Sequence, residues 1–204
     1  MAMKLQTDGL LLVVSGPSGV GKGTVCRELV KHIKLFYSVS ATTRNRRVGE
    51  EEGVHYYYKT QDEFMSMIRN KKLLEWAEFC GNFYGTPKIE VFERIQRGQD
   101  VLLEIDVKGA MQVKREYPEG IFVFLAPPKV SDLEKRIRGR NTETEEVIQK
   151  RLLKARDEIA LVNEYNYIVV NDDIETAIES IRSILDAEKH RIERNQKFIQ
   201  EVLC

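Results

Sequence analysis

An apolar run that ends in a glycine-rich loop and continues into a helical pattern is the feature that most constrains this chain. Leu10, Leu11, Leu12, Val13 and Val14 lead into Ser15, Gly16, Pro17, Ser18, Gly19, Val20, Gly21, Lys22, Gly23 and Thr24. Consecutive apolar residues without polar alternation predict a strand buried on both faces. From Thr24 to Ile33 the apolar residues return at helical spacing. Strand, glycine loop and helix in this order aim backbone N–H groups and a helix N-terminus at one point where an anion is held, and Lys22 adds a mobile positive charge for terminal phosphates. The flanking strand and helix are what separate this reading from that of a glycine-rich turn. Gly23 is a departure, because the usual phosphate loop has Ser or Thr there to bind Mg²⁺. A metal at this loop is expected to rest on phosphate oxygens, water and a carboxylate from elsewhere, with Thr24 as the neighbouring hydroxyl.

A length of 204 residues suits one well-buried core with small excursions. Further β-branched runs lie at Val101 to Ile105, Ile121 to Leu125 and Tyr167 to Val170, alternating with helical periodicity at 106–116, 129–139, 144–163 and 173–200. The alternation predicts an α/β fold, a parallel sheet covered by helices on both faces. Ligands of such sheets gather at the carboxyl ends of the strands, where Gly16 and Asp106 fall. Residues 40–88 break the rhythm with aromatic and charged pieces, including Val54 to Tyr58 and Leu74 to Phe79, and turn signals at Gly49, Gly53, Gly81 and Gly85. They predict a small inserted unit with its own short sheet. Residues 130–147 predict a second, shorter excursion. The resulting organisation is core at 1–39, insert at 40–88, core at 89–129, excursion at 130–147, and core with a C-terminal helix at 148–204. That helix, from Ile174 to about Leu203, carries one apolar stripe whose end could pack on the core or on another subunit.

Lys plus Arg and Asp plus Glu number 32 each, so no global basic field points to nucleic acid or an anionic membrane. Cys26, Cys80 and Cys204 are widely spaced without a Cys-x-x-Cys pair, which favours a reducing compartment and disfavours a zinc site. The N-terminal residues lack the apolar core of a cleavable signal, and no run of about 18 apolar residues is present. The expectation is a soluble cytoplasmic protein.

Between Ser38 and Glu50 the chain concentrates hydroxyls and guanidiniums, with Ser40, Thr42, Thr43, Arg44, Arg46 and Arg47. Guanidiniums bind phosphate oxygens in bidentate fashion. In isolation a solvated basic loop balanced by Glu50, Glu51 and Glu52 would explain the segment equally well. Beside the phosphate loop it suggests a second phosphorylated substrate, and two facing phosphate sites make a phosphotransferase.

From about Leu10 to Asp173 the chain resembles the guanylate kinases, a branch of the nucleoside monophosphate kinases within the P-loop NTPase group. The resemblance rests on Gly16 to Lys22, Ser40 to Arg44 with Arg47 to Glu50, Glu75-Trp76-Ala77, Gly81 to Thr86, Glu104 to Val107, Ala126-Pro127-Pro128, Thr142 to Glu145 and Val170 to Asp173, in the same order. It implies a P-loop parallel β-sheet core flanked by helices, a small mixed-β GMP-binding insert and a short lid. It also implies transfer of phosphate from ATP to GMP or dGMP with Mg²⁺, and no nucleic acid, membrane or obligate protein partner.

By position, the resemblance assigns ATP to the loop from Gly16 to Thr24 and to Asn171. It assigns the GMP phosphate to Arg44, Arg47, Tyr56 and Tyr84, with Glu50 orienting the arginines. The base falls to Ser40, Glu75 and Thr86. Guanine presents two adjacent donors and one acceptor, so the Glu75 carboxylate can accept from the ring N–H and the amino group while a hydroxyl donates to the carbonyl. Adenine would leave the carboxylate unpaired. Asp106, supported by Glu104, is expected to hold Mg²⁺ through water or to contact the guanine. Lys22, Arg44 and the lid arginines Arg136, Arg140 and Arg151 would stabilise the transferring phosphoryl group. Glu104, Lys108 and Asn141 depart from the Asp, Gln and Gly that relatives often carry.

A phosphate monoester has a second pKa of about 6 and is mostly dianionic at pH 7, so no catalytic base is required. His32, His55 and His190 are therefore read as structural or surface residues. Two other readings stand beside the kinase: a non-catalytic guanylate kinase-like module that binds phosphorylated peptides, and a kinase of another small phosphate. Retention of Lys22, Arg44, Arg47 and Asp106 argues against the first. The set Ser40, Glu75 and Thr86 argues against the second.

Overall fold

The computed structural model describes residues 8–79, 81–139 and 144–203. Strands β1 (Leu11–Ser15), β2 (Phe36–Tyr37), β7 (Val101–Glu104), β8 (Ile121–Ala126) and β9 (Tyr167–Val170) form one parallel sheet in the order β2-β7-β1-β8-β9. Strands β3 (Ala41–Thr42), β4 (Tyr57–Tyr58), β5 (Leu73–Phe79) and β6 (Asn82–Pro87) form a second, mixed sheet in the order β4-β3-β6-β5. The helices are α1 (Lys22–His32), α2 (Gln61–Arg69), α3 (Lys88–Gln96), α4 (Val107–Glu116), α5 (Val130–Arg138), α6 (Glu145–Ala160), α7 (Ile174–Lys189) and α8 (Gln196–Leu203).

The unbroken apolar strands follow from burial on two faces. On one face Leu12, Val14, Leu102, Val123 and Leu125 pack with Val25 and Leu29 of α1 and Ile178, Ile181 and Leu185 of α7. On the other, Leu11, Val13, Val101, Leu103 and Phe122 pack with Val91 and Ile95 of α3 and Ala110 and Val113 of α4. Successive residues of one strand thus feed opposite clusters, and each fully covered aliphatic side chain contributes about 1.5–3 kcal/mol. From β1 the chain builds β2 and β7 on one side and then crosses to β8 and β9 on the other. A ligand crevice is expected at the carboxyl ends of the strands beside such a reversal.

Three sequence expectations are corrected. Only Tyr57 and Tyr58 of the run from Val54 form a strand, because β3 offers just two residues for pairing and the Gly53 turn (φ +74°) occupies the preceding residues. The helix expected from Ile174 to Leu203 is two helices. α7 ends at Lys189, a short 3₁₀ turn (Ile192–Arg194) follows, and the Asn195 carboxamide donates to the carbonyls of Lys189 and Arg191 at 2.9 and 2.7 Å before α8 begins. Arg194 is tied back to the buried Glu188 carboxylate at 2.8 Å, which holds the 3₁₀ turn against the last turn of α7. Helix α6 likewise stops at Ala160, and a 3₁₀ turn (Val162–Glu164) completes the segment expected to be helical to 163.

Candidate active site

The glycine loop joins the buried end of β1 to the first turn of α1. Gly16 has φ +151°, and a Cβ there would lie 2.2 Å from the Leu125 carbonyl oxygen on β8, so only glycine lets the loop leave the sheet this way. Gly21, the residue before α1, has φ +100°, and a Cβ there would meet the Asn171 carboxamide at 2.7 Å. The Asn171 Nδ2 donates to the Val20 carbonyl at 2.8 Å, and Arg136 donates to the carbonyls of Val20 and Asn171 at 3.2 and 3.0 Å. Arg151 Nη2 donates to Ser18 Oγ at 2.8 Å. Two of the expected lid arginines therefore touch the loop itself. Arg140 and Asn141 lie outside the described residues.

Lys22 Nζ donates to the carbonyls of Gly16 and Pro17 at 2.6 and 3.2 Å. Burial lowers its pKa from the usual lysine value, and the carboxylates of Glu158, Glu104 and Asp106 counteract that shift. Glu158 and Lys154, both on α6, are site residues that the sequence reading did not single out. Glu158 is buried, accepts from the Ser18 N–H at 3.2 Å and lies 3.4 Å from Lys154 Nζ. Their i,i+4 spacing is a faint signal, since it marks an ordinary surface ion pair as readily.

The arginines expected to meet the acceptor phosphate lie on the turn after β3. Glu50 Oε1 accepts from Arg44 Nη2 at 2.7 Å, and Oε2 accepts from the Arg47 N–H at 2.8 Å and the Tyr58 hydroxyl at 2.7 Å. These donors, Arg44 first, hold the Glu50 carboxyl down at about 2. The Arg44 guanidinium lies 5.3 Å from the centre of the Tyr56 ring, and Tyr56 and Tyr84 meet edge to face at 6.0 Å. Glu50 is thus placed to orient Arg44 and the backbone at Arg47, whose side chain is exposed.

Glu75 on β5 is buried, and its Oε1 accepts from the Thr86 hydroxyl of β6 at 2.7 Å. Burial pushes the carboxyl up to about 7, with the nearby Asp106 adding to the shift and the Thr86 bond opposing it. Asp106 caps α4, its Oδ1 accepting from the Gly109 N–H at 2.8 Å, while Oδ2 lies 3.6 Å from Lys154 Nζ. Glu104, at the end of β7, accepts a hydrogen bond from the Tyr37 hydroxyl of β2. Tyr37 was also absent from the sequence reading, because a strand tyrosine carries no local mark of its partner.

A cleft of about 380 Å³ brings Ser18, Lys22, Ser40, Tyr56, Glu75, Tyr84, Glu104, Asp106, Lys108, Lys154 and Glu158 to one lining. Arg44 adjoins it through Tyr56, whereas Thr86 reaches it through Glu75. Thr24 is exposed on α1. A larger cavity, about 500 Å³, opens at the amino ends of the same strands and is lined by Asp8, Tyr117, Glu119, Arg191 and Arg194 among others. It shares no residue with the phosphate loop.

A parallel sheet with a glycine loop on its central strand, facing an arginine-bearing mixed sheet across a cleft, defines a P-loop nucleotide kinase class of protein. A family model described as guanylate kinase matches residues 9–188. Guanylate kinase of Desulfitobacterium hafniense is 54% identical over 97% of this chain and 99% of its own length. That of Carboxydothermus hydrogenoformans is 56% identical over 91% of this chain and 92% of its own. A crystal structure of guanylate kinase from Anaplasma phagocytophilum superposes with a TM-score of 0.76 at 34% identity, covering 94% of this chain and 92% of that one. The chain belongs to the guanylate kinase family.

Proposed function

We propose that this protein transfers the γ-phosphoryl group of ATP to GMP or dGMP, yielding ADP and the corresponding diphosphate. The observation that carries the reading is a buried carboxylate, Glu75, lining the same cleft as Lys22 of the glycine loop. Guanine donates its ring N–H and amino group to the Glu75 carboxylate. The Thr86 hydroxyl already donates its hydrogen bond to Glu75, so Ser40 is the hydroxyl left to donate to the guanine carbonyl. A buried carboxylate left without those donors discriminates strongly against adenine.

Arg44, Arg47, Tyr56 and Tyr84 take the phosphate of GMP, with Glu50 fixing the turn that carries both arginines. The loop N–H groups, Lys22 and Asn171 serve ATP. The acceptor phosphate attacks without a protein base, so the work of the site is to hold two anionic nucleotides in line and offset their repulsion. Lys22 and Arg44 flank the transferring group. Arg136 braces the loop through Val20 and Asn171, and Arg151 adds positive charge at Ser18. Residues 130–147 act as a lid, with Arg140 completing the set of cations and closure excluding the water that would hydrolyse ATP.

The donor set suits Mg²⁺. A Cβ at Gly23 would lie 3.2 Å from Glu104 Oε1, so the β7 carboxylate stands beside the place where the usual loop hydroxyl would sit. Carboxylate oxygens together with phosphates and water are the ligands Mg²⁺ prefers. Glu104 would hold the ion, directly or through water, with Asp106 beside it and with one Asp106 oxygen already committed to capping α4. Bound there with ATP, the ion would neutralise phosphate charge. A cytoplasmic location completes the reading, supported by the unpaired, buried Cys26.

A coupled assay with ATP across GMP, dGMP, IMP, AMP, CMP and UMP tests the proposal. GMP and dGMP should be turned over far faster than the others, and comparable turnover of AMP would overturn it.

A further inference from the structure

Helix α4 meets the base-reading strand β5 through two residues one turn apart. Gly109 sits in the first turn of α4 with an ordinary helical backbone, so no left-handed conformation calls for glycine there. Within a helix, glycine is less stable than alanine. What the position lacks is room. A Cβ at Gly109 would lie 2.9 Å from Glu75 Oε2, 3.3 Å from Glu75 Cδ and 3.4 Å from Asp106 Oδ1. The first of these is closer than a carbon and a carboxylate oxygen can approach, and the atom met is the functional end of a buried side chain.

Gln112 follows on the same face of α4. Its carboxamide accepts from the Trp76 N–H at 3.2 Å and donates to the Trp76 carbonyl at 2.9 Å. Strand β5 is the edge of its sheet, so this side chain pairs a backbone that has no further strand beside it. It does so at the residue next to Glu75. One carboxylate oxygen is thus held by Thr86, the other lies over the Gly109 slot, and the backbone carrying both is clamped by Gln112.

We propose that Gly109 and Gln112 are positioning residues for purine discrimination: α4 is the template that holds the Glu75 carboxylate where the guanine edge arrives. The inference rests on Glu75 being the base-reading residue. It assigns the glycine to the space beside Glu75 Oε2 and the glutamine to the strand edge.

The test is a double-mutant cycle of Gly109→Ala and Glu75→Asp, read as KM and kcat for GMP and IMP, KM for ATP, and thermal midpoint. IMP lacks the amino group and so reports on how well the carboxylate is placed. Gly109→Ala should raise KM for GMP on the order of ten- to a hundredfold, as expected for a misplacement approaching 1 Å, and should narrow the preference for GMP over IMP. KM for ATP should stay within about twofold, and the thermal midpoint should shift by only a few degrees, since the gain of alanine in a helix offsets part of the cost of crowding Glu75. In the Glu75→Asp background, where the carboxylate is withdrawn by one methylene, adding Gly109→Ala should cost less than about twofold, because the pair is coupled. An equal cost in both backgrounds overturns the proposal. If Glu75→Asp alone leaves the preference for GMP over IMP unchanged, the base-reading assignment falls instead. Should Gly109→Ala fail to fold, Gln112→Ala carries the test. It should raise KM for GMP several-fold with KM for ATP unchanged, and an unaltered KM for GMP overturns the template role.

Discussion

The Thr86 hydroxyl donates to Glu75 Oε1 across 2.7 Å, joining β6 to β5 beneath the floor of the cleft, with the two residues 1% and 6% exposed. This bond favours the charged form of a carboxyl that burial pushes toward neutrality. Removing it as Thr86→Val keeps the shape and leaves the carboxylate without its donor. A hydrogen bond to a charged group contributes about 1.5–3 kcal/mol, so KM for GMP should rise about ten- to a hundredfold while KM for ATP changes little. Steady-state kinetics with each substrate varied would show this, and an unchanged KM for GMP would place the bond outside base reading.

The pH dependence follows from the Glu75 carboxyl at about 7. Guanine's donors need the ionised form, so below pH 7 protonation competes with GMP, and KM for GMP should rise toward about tenfold per unit. The acceptor phosphate also titrates, with a second pKa of about 6. Glu75→Gln retains that component and loses the other, so the difference between the two pH profiles isolates Glu75. Stability has the opposite dependence. The folded value lies above the ordinary 4.5, so the contribution of Glu75 is full below pH 4.5 and is lost as pH rises through 7. Relative to the wild type, Glu75→Gln should therefore gain thermal stability between pH 4.5 and above 7.

Lys22→Ala should lower kcat by about 10³-fold, because it removes a preorganised charge from the transferring phosphoryl group. The fold should persist, since the variant also relieves the burial that lowers the Lys22 pKa. Circular dichroism and thermal melting monitor the fold, and retention of full turnover would sink the proposed mechanism.

Glu104→Gln should raise the Mg²⁺ concentration for half-maximal velocity by roughly tenfold, as loss of one charged oxygen donor weakens a hard cation site. Mn²⁺ binding followed by electron paramagnetic resonance in the presence of a non-hydrolysable ATP analogue gives a readout apart from turnover. Wild-type binding in the variant would remove Glu104 from the metal's surroundings.

Much of the core was legible because its signals are local. The run from Leu10 to Val14, the loop glycines and the α1 periodicity each depend on residues a few positions apart, and the strand, loop and helix follow them. The extent of the C-terminal helix was not legible, because its break depends on Asn195 reaching back to the Lys189 and Arg191 carbonyls and on Arg194 reaching Glu188. The two-residue extent of β4 was not legible for a similar reason: strand length is set by the partner strand, not by the β propensity of Val54 to Tyr58. Glu158 at the phosphate loop was invisible because it meets Ser18 across 140 residues of chain.

The sequence by itself determined the strand, glycine loop and helix, since residue type and short-range spacing suffice there, and it set an arginine- and hydroxyl-rich segment after them. Tertiary structure alone decided the surroundings of the carboxylate proposed to read the base. Glu75 acquires a displaced pKa, a hydroxyl partner 11 residues away and a helix glycine that leaves it room. Burial and steric clearance are properties of packed surfaces, and they come into being only when α4 closes against β5.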